Sequence, residues 1–138
     1  MVLVGCGAVV GCGWVGINRY GAKLVEIKTS VNDSQQQMPF KTTICHGLLQ
    51  IVTVALGSPL GREVAPLEIS AAFATKLSQL CHVDERTHKL LVACASGAGL
   101  AAVYNVPLAS AVFTLETLLV DWSFSSLGAA MLCCGTAV

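Results

Sequence analysis

The sequence predicts an all-α membrane domain of short helices with uneven length and tilt, and three observations predict it. Hydrophobic residues make up 54% of the chain and charged residues only 12%, and the mean hydropathy is +0.71. That charged share is about half the ordinary one, so little polar surface is left to cover a water-soluble globule. A bilayer removes the difficulty, because surface that faces lipid is apolar. Second, the apolar runs are rich in Ala, Gly and Leu and show no strand alternation. Third, most of them are shorter than the roughly 20 residues that span a bilayer, and Gly and Pro interrupt them. Irregular backbone is tolerated at membrane depth only where protein buries it or where it lines a watery cavity. The breaks are therefore where a substrate is expected.

Six apolar stretches can be marked, at about 2–17, 44–60, 64–80, 90–104, 107–120 and 124–138. No Lys or Arg precedes Arg19, whereas a signal peptide carries a basic segment before its apolar run. Residues 2–17 are read as a retained helix. Gly7 and Gly11 form a GxxxG pair there, and small residues cluster again from Ala95 to Gly99, which lets membrane helices approach closely. The stretches 18–43 and 81–89 carry charges of both signs and read as solvated loops. Pro66 and Pro107 stand near the starts of the third and fifth helices, where a missing N–H costs nothing. The chain stops at Val138 inside an apolar run, so a truncated domain is expected over 1–138.

Several function classes weigh little. Net charge is +0, which gives no footprint for nucleic acid. The segment from Val2 to Gly11 has the look of a dinucleotide fingerprint, with Glu26 about 20 residues on. A soluble Rossmann enzyme would then require a strand, turn and helix at the N-terminus and alternating strands afterwards. The seven cysteines (Cys6, Cys12, Cys45, Cys81, Cys94, Cys133 and Cys134) form no CxxC pair and read as small, buried, reduced hydrophobes. Cys45-His46 and Cys81-His82 fit no zinc spacing. His46 reads as a packing residue and His82 and His88 as loop residues. No metal or other cofactor is expected.

Two stretches carry chemistry. The first is Gly57-Ser58-Pro59-Leu60-Gly61-Arg62-Glu63-Val64-Ala65-Pro66, directly ahead of a helix start. A helix N-terminus presents unpaired N–H groups and a positive dipole end, which together can hold an anion without a lysine. An ionised side chain at the bilayer centre costs about 2.5–3.5 kcal/mol on insertion scales, so Glu63 must face a cavity, pair or take a proton. The plainer reading is a simple Arg62–Glu63 loop at the membrane surface. The second stretch runs from Gly97 to Glu116, where a helix ends near Asn105 and Pro107 starts another. Tight helix packing alone would also explain it.

Together these stretches resemble the CLC chloride channel and antiporter family. Its members carry a GREGP motif ahead of a helix and, downstream, a stretch of the type AGLAAAFNAPLAG followed by F-x-x-E. The likeness is good from about Gly57 to Leu119 and implies part of the family's first inverted repeat. It implies that Glu63 is the gating glutamate, which occupies an anion site when ionised and leaves it when protonated, linking protons to anions. Backbone amides of Gly61, Arg62, Val64 and Ala65 would line the outer anion site, with Asn105, Pro107 and Glu116 as secondary positions. The GREVAP variant resembles the family's bacterial fluoride/proton antiporter branch, which implies a bacterial inner membrane. The family's GSGIP motif finds its nearest match at Gly21–Val25, where Ala22 replaces the serine and Lys23 follows. Thr117 stands where chloride antiporters carry an internal proton glutamate. The expected cargo is fluoride or chloride with protons, the setting a lipid bilayer, and the intact assembly a homodimer. The alternative is a truncated remnant that sits in a membrane and transports nothing.

Overall fold

The structure, a computed structural model, describes residues 2–20, 27, 39–59, 61–119 and 123–138. The elements are α1 (Val2–Tyr20), α2 (Phe40–Ala55), α3 (Val64–Cys81), α4 (Glu85–Tyr104), α5 (Pro107–Phe113) and α6 (Phe124–Thr136). The end of α5 runs on as a π-helical turn over Thr114–Leu118. No strand occurs among the described residues, so the all-helical expectation holds. Gly5 to Gly11 lie inside α1, where a dinucleotide loop would need a strand followed by a turn. That removes the Rossmann alternative. Among the described residues, no helix is long and apolar enough to cross a membrane.

Boundaries differ from the apolar runs where polar residues join helices. α2 begins at Phe40 directly after Pro39 and ends at Ala55, with Gly57 at φ +88 just beyond. Glycine alone enters that left-handed region without a Cβ penalty, so the chain turns out of the helix there. The stretch 81–89 is not wholly a loop. α4 starts at Glu85, and a Glu85–Lys89 ion pair of 3.1 Å spans its first turn. His88 is thereby helical and buried, contrary to a loop assignment, with its Nδ1 2.5 Å from the Ser78 hydroxyl of α3. Burial pushes its pKa down, with Glu85 opposing and Lys89 adding to the shift.

The core is made mostly of small and polar side chains. Ala65, Ala71, Ala72, Ala93, Ala101, Ala111 and Ala130 are buried, together with Thr43, Thr75, Ser96 and Thr114. Leu67, Val92, Leu115 and Leu118 are the larger side chains buried with them, whereas many large apolar residues, among them Phe73, Leu77, Leu80, Leu108, Leu132 and Phe124, are exposed. In water this arrangement would waste hydrophobic burial, whereas small residues inside and large ones outside suit helices packing in lipid. Cys94 and Cys134 are buried as expected, but Cys12, Cys45 and Cys81 are exposed, because they lie on outward helix faces.

Small residues allow a close crossing between α3 and α4. A Cβ built on Gly99 would lie 2.8 Å from the Pro66 carbonyl oxygen and 2.6 Å from the Ser70 hydroxyl. That hydroxyl donates to the Pro66 carbonyl at 2.7 Å, so the first turn of α3 is tied down where α4 crosses it. On the other face of α3, His46 of α2 pairs with Glu68 at 2.7 Å. The ring of Trp14 from α1 meets His46 edge-on at 4.8 Å. Three helices thus meet at one part-buried hydrogen-bonded contact, which makes His46 a packing residue.

Candidate functional site

The segment after α2 leaves the helix at Leu56 and re-enters one at Val64, so Gly61, Arg62 and Glu63 sit in the break. Glu63 takes the N-cap position of α3 in a helical conformation, and its carbonyl receives the Leu67 amide at 3.4 Å. Its half-buried side chain folds back over Gly61. A Cβ on Gly61 would meet both carboxylate oxygens, so only glycine leaves room for this rotamer. The Gly61 carbonyl also accepts a long 3.4 Å bond from Gln50 of α2.

The second break faces the first. α4 ends at Tyr104, Asn105 follows in the left-handed conformation (φ 57), and Pro107 opens α5. Asn105 tolerates that conformation better than most residues. The resulting bend aims the Tyr104 side chain at the start of α3, where its hydroxyl donates to Glu63 Oε2 at 2.9 Å. The guanidinium carbon of Arg62 lies 5.5 Å from the Tyr104 ring centroid, within cation–π range. Among the described residues there is no Arg62–Glu63 ion pair. Tyr104 stands between them instead.

A cleft of about 370 Å³ opens between the two breaks. Leu67, Leu100, Val106, Ala109 and Phe113 wall it, and Glu63, Tyr104 and Ser110 are its polar residues. Ser110 is 1% exposed, and its hydroxyl has no hydrogen-bond partner among the described residues. An apolar cleft with one carboxylate, one phenol and the N-terminus of an 18-residue helix can hold a small anion or a protonated carboxyl.

Other positions named from the sequence fall differently. Val64 is exposed on the first turn of α3 and Ala65 is buried. Asn105 and Pro107 form the second break, beside the cleft. Glu116 is exposed and Thr117 half-buried, both in the π turn, and neither lines the cleft. Ala22 and Lys23 lie outside the described residues. Sequence reasoning missed Tyr104, Ser110 and Gln50. A phenol as the last residue of a helix at a break was the available signal for Tyr104. No local pattern marks the other two.

The sequence pattern described as voltage gated chloride channel matches residues 5–138. The chain belongs to the voltage gated chloride channel family. Similar proteins include the voltage-gated ClC-type chloride channel ClcB of Citrobacter koseri, 35% identical over 92 residues. The proteins of the same name from Yersinia pseudotuberculosis and Escherichia coli are each 33% identical over 92 residues. In each case the match covers 67% of this chain and 22% of the relative, so the chain spans only part of the family's length. No solved structure matches it.

Proposed function

We propose that this protein moves small halide anions across a membrane and that Glu63 couples the movement to protons. One observation carries the reading: the Glu63 carboxylate stands at the start of α3, on the wall of a cleft formed where two helix breaks meet. An ionised carboxylate there competes with an anion for the same positive helix end. Protonation removes its charge and frees the position. The backbone amides of Gly61, Arg62, Val64 and Ala65 are the proposed anion contacts, with Asn105 and Pro107 shaping the opposite side. Residues 1–138 then supply first-repeat helices of a longer pathway, and the intact protein works as a homodimer in a bacterial inner membrane.

The test is anion and proton flux from liposomes carrying the full natural chain, compared with its Glu63→Gln variant. Loss of proton coupling with retained anion flux is expected. Coupling that survives in the variant would remove Glu63 from the mechanism.

Fluoride is the proposed preferred cargo. GREVAP in place of GREGP, Ala22 at the serine position and Thr117 at the internal glutamate position support it. Ion-selective electrodes on the same liposomes decide the matter, and faster efflux of chloride than of fluoride would overturn the preference.

A further inference from the structure

We infer that Tyr104 is a positioning residue for Glu63, its hydroxyl holding the ionised carboxylate at the cleft and releasing it on protonation. The inference rests on the reading of Glu63 as the gating carboxylate.

Three features of the site carry it. The Tyr104 hydroxyl donates to Glu63 Oε2 at 2.9 Å across 41 positions of sequence, from a different helix. Gly61 leaves open the space that the held carboxylate fills. The Arg62 guanidinium packs on the Tyr104 ring, which fixes the phenol's direction without itself pairing with Glu63. A hydrogen bond to an ionised acceptor is roughly twice as strong as one between neutral groups. The latch is therefore tight while Glu63 is charged and weak once it is protonated.

The groups facing Glu63 leave few other sources of pH dependence. α4 contributes Tyr104, α2 contributes the neutral Gln50, and α5 contributes Ser110, which does not titrate in this range. The Arg62 guanidinium lies over the Tyr104 ring. Glu68 and His46 bond to each other, at the contact of α2 with α3.

The experiment is anion flux against pH for the full natural chain in liposomes, in four forms: unaltered, Tyr104→Phe, Glu63→Gln and the double variant. Tyr104→Phe keeps the ring beneath Arg62 and removes only the donor. Losing the donor disfavours the charged, latched state, so the flux–pH midpoint should move up by about one pH unit. In the Glu63→Gln background the same substitution should leave the pH profile unchanged. If Glu63→Gln flattens the profile but Tyr104→Phe leaves the midpoint in place, the inference about Tyr104 fails and the Glu63 reading stands. A lower flux with an unmoved midpoint would likewise reduce Tyr104 to a packing residue. If Glu63→Gln leaves the profile as it was, the Glu63 reading itself fails, and the inference about Tyr104 falls with it.

Discussion

Gly99→Ala tests the packing that brings the two helix breaks together. The added methyl would lie 2.8 Å from the Pro66 carbonyl oxygen, whereas ordinary contact begins at 3.4 Å. The obstacle is backbone, so a rotamer change cannot relieve it. α3 and α4 must separate locally by about 0.6 Å, and overpacking of this kind costs about 1–3 kcal/mol. Pro66 lies three residues after Glu63 on the same helix turn. A shift of about 0.6 Å along the contact would stretch the 2.9 Å Tyr104–Glu63 bond to the edge of hydrogen-bonding range. The variant should therefore unfold at lower temperature in detergent and also move the flux–pH midpoint upward, as Tyr104→Phe does. Gly128→Ala is the matched control, because nothing lies within 4 Å of a Cβ built there. It sits inside α6, and the exchange should be neutral or stabilising by about 0.5–1 kcal/mol. Equal unfolding temperatures for the two variants would refute the close approach at Gly99. Reduced stability of Gly99→Ala with an unmoved midpoint would refute its coupling to Glu63.

Two further outcomes follow from the same geometry. In Gly61→Ala the new methyl occupies the place of the Glu63 carboxylate, which can swing away because it ends a flexible side chain. Stability should change by less than about 0.5 kcal/mol, while flux at neutral pH rises; unchanged flux would show that the folded-back position does not matter. His88 is buried with its pKa pushed below the ordinary 6.5, so the folded state favours the neutral ring and the unfolded chain takes up the proton first. Its stability contribution is present above about pH 6.5 and lost as pH falls below it. Unfolding of His88→Gln against pH should show a shallower acid decline than the unaltered protein, and parallel curves would refute the assignment.

Much of this protein was legible along the chain because its signals are local. Glycine and proline mark where helices break, and both breaks fall where Gly57, Asn105 and Pro107 put them. Low charge and small-residue clusters indicated helices packed through Ala, Gly and Ser, and the buried set is of that kind. Local signals mislead at Glu85–Lys89, where charge suggests a loop although an i,i+4 pair supports a helix. They also misled for Cys12, Cys45 and Cys81, because hydropathy does not say which helix face turns outward.

The site divides in the same way. The sequence by itself determined that Glu63 stands in a break ahead of a helix, since motif order and helix-start chemistry are properties of neighbouring residues. Only the tertiary structure decided that Tyr104 reaches that carboxylate and that Arg62 packs on Tyr104 rather than pairing with Glu63. Those contacts depend on how closely α3 and α4 cross, which is set at Gly99 by the absence of a single methyl group. A linear pattern records that glycine, but the distance it permits exists only once the two helices have packed.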